Sequence, residues 1–205
     1  MNQSIPSSTL VGTLASRSGS SAAIRFASAL FIAALTAAAA QISVPLPFTV
    51  VPFTLQPMIV LLGGLALGSR MGFLSQGIYL AAGIAGLPVF AASPELPPGL
   101  LRLIGPTGGY LMSYPIAAFI VGSLAERGFD RQYATSCLAM LIGLIVIYAC
   151  GSGWLALSIG LPAALASGVY PFVVADLMKL LVAAGVLHGL WRLLGRHAYR
   201  VNDRG

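Results

Sequence analysis

The residues best suited to binding chemistry are Asp176 and Lys179, a carboxylate and an ammonium group inside a long apolar segment. The segment covers residues 170–191 and reads "YPFVVADLMKLLVAAGVLHGLW". On a helix, a spacing of three residues places both side chains on one face. A charge at the centre of a bilayer costs at least about 2.5 kcal/mol on insertion scales. The pair is therefore either a salt bridge that fixes helix packing or part of a site for a polar ligand.

The elements that must position this pair are predicted from composition. The chain has 205 residues, of which 58% are hydrophobic and 8% are charged, and its mean hydropathy is +0.91. Soluble domains carry roughly 25% charged residues. We therefore predict an all-α integral membrane protein, in which each span needs about 20 mainly apolar residues. Six transmembrane helices are predicted, at residues 22–41, 55–69, 71–87, 107–125, 134–153 and 170–195.

These segments define one six-helix membrane domain over residues 22–196, followed by a cytoplasmic C-terminal tail over residues 197–205. Residues 1–21 are polar and rich in serine, and we interpret them as a disordered cytoplasmic tail. The first apolar segment is too long for the core of a signal peptide. We therefore expect it to be a retained first helix.

The basic residues predict the orientation of the chain. The formal net charge is +6, but nine of the eleven basic residues fall on one side if the chain crosses six times. They are Arg17, Arg25, Arg70, Arg127, Arg131, Arg192, Arg196, Arg200 and Arg204. Cytoplasmic loops carry such an excess of lysine and arginine. The pattern predicts that both termini are cytoplasmic, and it explains the basic charge without a nucleic-acid partner.

Two loops on the predicted outer side are unusual for connectors. The first reads "ISVPLPFTVVPFTLQP" and is apolar and rich in proline, which fixes φ and removes backbone donors. The second ends in "GPTGG", residues 105–109, directly before the fourth predicted helix. Glycine lets the backbone approach a ligand, and a helix start offers free N–H groups. The sequence alone leaves open that the first is a mere connector and the second a plain helix cap.

The depth of the charged pair supports a binding site. The last helix enters from the outer side, so Asp176 lies about 9 Å below Tyr170 and Lys179 about 14 Å below it. Both side chains are therefore in the outer half of the membrane, beneath the two loops. We predict a pocket, capped by ordered outer loops, that binds a small molecule with a polar head.

Other chemistry finds less support in the residues. Asp176 is the only carboxylate within a predicted helix, whereas an intramembrane aspartyl protease needs two. No Walker A motif is present, so ATP hydrolysis would need another chain. Cys137 and Cys150 would be about 20 Å apart on one helix, and His188 and His197 have no metal-ligand companions. We expect no catalytic residue, metal or cofactor, but keep an intramembrane enzyme and a structural or channel subunit as alternatives.

The first predicted helix has a row of small residues. Ala29, Ala33 and Ala37 recur every four residues. Such rows let helices approach closely in lipid. The row can meet either another helix of this chain or another subunit.

Four motifs, in order, make the chain similar to the BioY family. They are "VPFTLQ", "AGIAGLPVFA", "GPTGGYL" and "PFVVADLMK", and the resemblance covers about residues 25 to 195. BioY proteins are substrate-binding (S) subunits for biotin in energy-coupling factor (ECF) transporters. The resemblance implies an S-component fold in a bacterial or archaeal-type cell membrane and high-affinity biotin capture. It also implies docking of an Ala-xxx-Ala face, at Ala29, Ala33 and Ala37, to a transmembrane coupling subunit driven by two ATPase subunits.

The resemblance assigns biotin contacts to Asp176 and Lys179 and places residues 105–110 beside the pocket. Asp176 would accept the ureido N–H bonds, and Lys179 would donate to the ureido oxygen. Arg102, or the N–H groups of Gly108 and Gly109, would hold the carboxylate. Phe53, Tyr79, Phe90 and Tyr110 would line the rings, and Gln56 and Thr107 are the remaining candidate site residues. The stretches "SPELPPGLLR" and "YLMSYPIAAF" depart from the family pattern, so the shape of the lid and the role of Arg102 are not implied by it.

Overall fold

The computed structural model describes residues 9–16, 21–92 and 97–202. This part of the chain is mostly helical. Its helices are α1 (Leu10–Ser16), α2 (Ser21–Gln41), α3 (Gln56–Leu67), α4 (Ser69–Ile84), α5 (Leu100–Ile104), α6 (Gly108–Ala125), α7 (Tyr133–Ile159), α8 (Leu161–Gly168) and α9 (Tyr170–Asn202). Two short antiparallel strands, β1 (Ser43–Val44) and β2 (Phe53–Thr54), form a hairpin between α2 and α3.

Four described helices are long and apolar enough to cross a membrane. They cover Ala22–Gln41, Gly108–Ala125, Tyr133–Ile159 and Tyr170–Leu193. The predicted second and third spans correspond to α3 and α4, which have only 12 and 16 residues. The chain is thus a helical protein with several membrane-span candidates, while the number of spans stays a prediction.

Helix α6 lies at the centre of the fold. It packs against α7, α4 and α3, and its neighbours contribute the fully buried side chains of Leu61, Leu65, Met140 and Ile147. Close approach depends on small residues at the contacts. A Cβ atom added at Gly122 would lie 2.3 Å from the backbone of Gly68, so any larger residue would push α6 away from the α3–α4 turn.

The α3–α4 turn is held by a carboxylate from α6. Gly68 adopts φ +84°, a conformation that glycine tolerates and other residues rarely adopt. Glu126, at the end of α6, accepts hydrogen bonds from the N–H and the hydroxyl of Ser69, both at 2.8 Å. It therefore satisfies one of the free N–H groups at the start of α4.

Several elements differ from the sequence expectation. Within the predicted disordered tail, residues 10–16 form α1. This helix packs against α2 and α3, which buries Leu10, Val11 and Ala15. The rest of that tail, residues 1–8 and 17–20, lies outside the described residues. Helix α7 extends to Ile159, and α5 and α8 occupy segments predicted as loops.

Candidate functional site

A cavity lies beneath the β hairpin and α5. Its walls are mostly apolar and aromatic, with a few polar groups. They come from the loop before α3, the start of α3, the α4–α5 loop and helices α5, α6, α7, α8 and α9. The lining residues are Val51, Pro52, Thr54, Gln56, Pro57, Phe90, Ala91, Arg102, Thr107, Tyr110, Leu111, Tyr114, Ile147, Tyr148, Gly168, Phe172, Asp176 and Lys179.

The charged pair of α9 faces this cavity. Lys179 Nζ lies 2.7 Å from Asp176 Oδ1, and the two side chains are 11% and 7% exposed. Tyr148, from α7, donates its hydroxyl to Asp176 Oδ2 at 2.6 Å. The pair is thus a buried salt bridge that also forms part of the cavity wall, while its contact with a ligand stays a prediction.

Lys179 also ties the β1–β2 hairpin to α9. Its ammonium group donates to the carbonyl oxygen of Thr54 at 2.7 Å and lies 3.7 Å from the centre of the Phe53 ring. The Phe53 ring stacks on Phe172 with centroids 6.3 Å apart. The loop between α2 and α3 is therefore a packed part of the site, because its Thr54 carbonyl and its Phe53 ring both stabilise the Lys179 charge.

A second polar group of the site connects α3 and α4. Gln56 Nε2 donates to the hydroxyl of Tyr79 at 2.5 Å, and the hydroxyl of Thr54 donates to Gln56 Oε1 at 3.4 Å. Tyr79 does not line the cavity. It packs edge-to-face behind Phe90, with ring centroids 5.6 Å apart. Tyr79 thus supports two lining residues, Gln56 and Phe90.

Arg102 provides a further cation in the cavity wall. It lies on α5 and is only 5% exposed. Its Nη2 donates to the carbonyl oxygen of Ala91, whereas Nη1 has no hydrogen-bond partner in the described part of the chain. Burial lowers the pKa of the Arg102 guanidinium from its usual value. An anionic group in the cavity would satisfy the unpaired N–H bonds and offset the cost of burying the charge.

The glycines of "GPTGG" serve packing more than ligand contact. The N–H of Gly108 donates to the carbonyl oxygen of Gly105 at 3.0 Å. Contrary to the prediction, it is therefore not free to bind a carboxylate. A Cβ atom at Gly109 would lie 2.3 Å from Trp154 Cβ, and Trp154 Nε1 donates to Gly105 at 3.0 Å. These glycines let α7 approach the start of α6, and Thr107 is the member of the motif that lines the cavity.

The structure brings most predicted site residues together. Seven line the cavity: Gln56, Phe90, Arg102, Thr107, Tyr110, Asp176 and Lys179. Phe53 and Tyr79 contact lining residues, as described above. Sequence reasoning missed Tyr114, Tyr148 and Phe172. Tyr148 lies in an apolar helix where no motif marks it. Phe172 lies within a motif that drew attention to other residues, and Tyr114 lies in a stretch that departs from the family pattern.

The alanine row of α2 lies largely inside the fold. Ala29 is 0% exposed and Ala33 is 6% exposed, and Ala37 is half-buried against the core. In this structure the row packs against helices of the same chain, which is one of the two alternatives that the sequence left open. The exposed small residues of α2 are on another side of the helix, at Ala23, Ala27, Ala34 and Ala38.

Comparison with known proteins is consistent across sequence and structure. The model of the BioY family matches residues 10–196. A protein of Pyrococcus horikoshii named "Probable biotin transporter BioY" is 48% identical over 151 residues, which are 74% of this chain and 85% of that protein. The "Biotin transporter BioY" of Thermotoga maritima is 41% identical over 152 residues, covering 74% of this chain and 86% of its own length.

A solved structure has the same fold. It is the crystal structure, at 2.1 Å, of the S-component for biotin from an ECF-type ABC transporter. The TM-score is 0.74 at 25% sequence identity, over 82% of this chain and 90% of that one.

Proposed function

The chain belongs to the BioY family, and we propose that it captures biotin from the outer side of the membrane as the substrate-binding subunit of an ECF-type transporter. The observation that carries this proposal is the composition of the cavity wall. One largely apolar cavity contains an acceptor–donor pair, Asp176 and Lys179, and a separate cation with unpaired N–H bonds, Arg102. Biotin has a ureido head, an apolar bicycle and a carboxylate tail, which these three features complement.

The character of the cavity wall agrees with such a ligand. Small-molecule pockets are mainly apolar, with a few polar groups that fix orientation, and this wall has the same composition. In the proposed pose, Asp176 accepts a ureido N–H, Lys179 donates to the ureido oxygen, and Arg102 binds the carboxylate. Tyr110 and Phe172 pack against the apolar body.

Uptake requires partners that this sequence does not contain. It has no Walker A motif, and we propose a transmembrane coupling subunit with two ATPase subunits. The close-packing row at Ala29 and Ala33 is buried in the fold. We therefore assign the docking surface to the exposed side of α2, at Ala27, Ala34 and Ala38, where small residues allow close approach.

The arrangement in the membrane is part of the proposal. We propose six spans with both termini in the cytoplasm of a bacterial or archaeal-type cell. Helices α3 and α4, of 12 and 16 residues, are about 18 and 24 Å long. Each helix alone is shorter than the roughly 30 Å hydrocarbon layer, and the ordered segments that continue it complete the span. The loops cap the cavity on the outer side.

Binding to the purified protein tests the function. We expect tritiated biotin to be retained in detergent with saturable, one-to-one stoichiometry and to raise the melting temperature. Thiamine, another vitamin, serves as the control and should do neither. Absence of saturable biotin binding would contradict the proposal. The curated relatives are named transporters, so an intramembrane enzyme is not favoured, and no turnover of biotin is expected.

A further inference from the structure

Tyr148 is a cavity residue to which the proposed function assigns no role. It lies on α7 and is half-buried. Its hydroxyl donates to Asp176 Oδ2 at 2.6 Å, a length typical of an O–H bond to a charged carboxylate. The other oxygen, Oδ1, accepts from Lys179 at 2.7 Å. The two oxygens of this carboxylate therefore accept hydrogen bonds from different helices. Oδ1 accepts from Lys179 on α9 itself, and Oδ2 accepts from Tyr148 on α7.

The hydrogen-bonding capacity of Asp176 is only half used by these two donors. An ionised carboxylate has about four lone-pair sites and donates nothing. Tyr148 and Lys179 occupy one site on each oxygen, which leaves one site on each for a ligand. Lys179 donates to Asp176 and Thr54, so one of its three N–H bonds has no oxygen acceptor among the described residues.

The orientation of the carboxylate depends on the tyrosine. The terminal torsion of an aspartate is broad, and a single ion pair to Lys179 does not fix it. A second bond from α7, a helix that packs directly against α9, holds the plane of the carboxylate against the cavity wall. The free acceptor sites are then presented in one fixed direction.

From this geometry we propose that Tyr148 is a positioning and specificity-determining residue. It holds the Asp176 carboxylate so that its free lone pairs select a ligand head that donates N–H, as a cyclic urea does. A site built to accept a hydrogen bond rejects analogues that lack the donor, because its buried polar group stays unpaired. This inference rests on the proposed binding of biotin.

A double-mutant cycle tests the coupling. Tyr148→Phe removes only the hydroxyl, and we expect it to weaken biotin binding about five- to tenfold. In the Asp176→Ala background, the same change should alter the biotin Kd less than twofold, because the acceptor that Tyr148 positions is already lost. A tyrosine with a purely structural role would cost the same factor in both backgrounds, and that result would overturn the proposal.

A matched control is available on the same helix. Tyr133 also lies on α7 and donates to α9, at the carbonyl oxygen of Leu181 (3.0 Å), but it does not line the cavity. Tyr133→Phe should leave the biotin Kd within twofold of wild type. An equal loss of affinity in Tyr133→Phe and Tyr148→Phe would show that tethering α7 to α9 is the whole effect, and it would also overturn the proposal.

A second measurement uses the wild-type protein and so does not depend on a variant that folds. Biotin methylated at either ureido nitrogen lacks one N–H donor. At least one of the two methylated forms should bind at least tenfold more weakly than biotin. Equal binding of biotin and both forms would overturn the inference while leaving the proposed function intact. Failure of wild-type protein to bind biotin at all would instead contradict the proposed function itself.

Discussion

At the scale of single residues, the cavity contains three buried charges whose partners differ. Asp176 and Lys179 are bonded to each other at 2.7 Å, whereas Arg102 has one nitrogen without a partner among the described residues. Removing one member of a buried pair is costly because the other charge is left uncompensated. An unpaired buried cation is instead stabilised when an anionic ligand arrives. The two features therefore predict different responses to mutation.

The pair is tested by three variants. Asp176→Asn keeps the shape but removes the charge, and Lys179→Met keeps the stem but removes every donor. Each should weaken biotin binding by at least about tenfold, or 1.4 kcal/mol, and each should lower the melting temperature. The double variant should regain thermal stability, because no charge is left unpaired, without regaining affinity. If isothermal titration shows that it binds biotin as tightly as wild type, the pair is scaffolding only.

Arg102 is tested by changing the ligand as well as the protein. Arg102→Met should weaken biotin binding about tenfold or more, because a charged hydrogen bond to the carboxylate is lost. Biotinamide, which has no carboxylate, should bind Arg102→Met and wild type with similar affinity. Arg127→Met, a change at an exposed arginine, is the control and should not alter either Kd. A similar loss for both ligands in Arg102→Met would argue against a carboxylate contact.

At the scale of elements, α2 has a buried side and an exposed side. The adjacent residues Ala33 and Ala34 differ sharply, since Ala33 is 6% exposed and Ala34 is exposed. In a helix, neighbours point about 100° apart. This places one alanine in the core and the other on the surface available to a partner.

The same substitution at these two positions separates packing from docking. Ala34→Leu should leave biotin affinity and melting temperature unchanged while weakening co-purification with the coupling subunit and uptake. Ala33→Leu should lower the melting temperature, because overpacking a core typically costs about 1–3 kcal/mol. Co-purification and thermal melting measure the two effects. Normal assembly by Ala34→Leu would place the docking surface elsewhere.

The loop between α6 and α7 contains a carboxylate that responds to pH. Asp130 is 1% exposed, and desolvation raises the pKa of its carboxyl to about 6. Arg131 lies 3.5 Å away, which offsets this only in part. Between about pH 4 and 6 the folded state therefore binds more protons than the unfolded state. As pH rises through that window, the free energy of unfolding falls, because the folded state must hold Asp130 charged in a buried place.

Asp130→Asn should remove this dependence. The amide stays neutral, so the variant should melt a few degrees above wild type at pH 7.5, and the difference should shrink towards pH 4. Thermal melting in detergent at several pH values measures it. A difference that stays constant with pH would mean that Asp130 does not titrate in this range.

At the scale of the whole molecule, orientation follows from where the charges and the cavity lie. Arg70, at the start of α4, and Arg127, in the α6–α7 loop, lie at one end of these helices, whereas the hairpin, α5 and the cavity lie at the other end. The excess of arginine predicts that the helix ends near Arg70 and Arg127 are cytoplasmic. The cavity would then open to the outside, as uptake requires.

Cysteine labelling of intact cells tests this orientation. In a background lacking Cys137 and Cys150, the exposed positions Val50→Cys and Leu161→Cys should react with an impermeant maleimide, and Arg127→Cys should react only after lysis. The reverse pattern would place the cavity on the cytoplasmic side and contradict capture from outside.

The sequence by itself determined the features that arise from local physics. Apolar length predicted α2, α6, α7 and α9 to within a few residues at most boundaries, because a helix in lipid must satisfy its own backbone. The charged pair at Asp176 and Lys179 was evident because two charges in such a segment are costly. The motifs also identified the family, since four patterns in order are specific.

Only the tertiary structure decided the features that depend on contacts between distant segments. The side of α2 that is buried, the use of the Gly108 N–H within its own turn, and the hydrogen bond from Tyr148 to Asp176 are examples. In an apolar helix every face can be buried, so periodicity carries little information about its neighbours. A tyrosine 28 positions from its carboxylate joins the site only because α7 packs against α9.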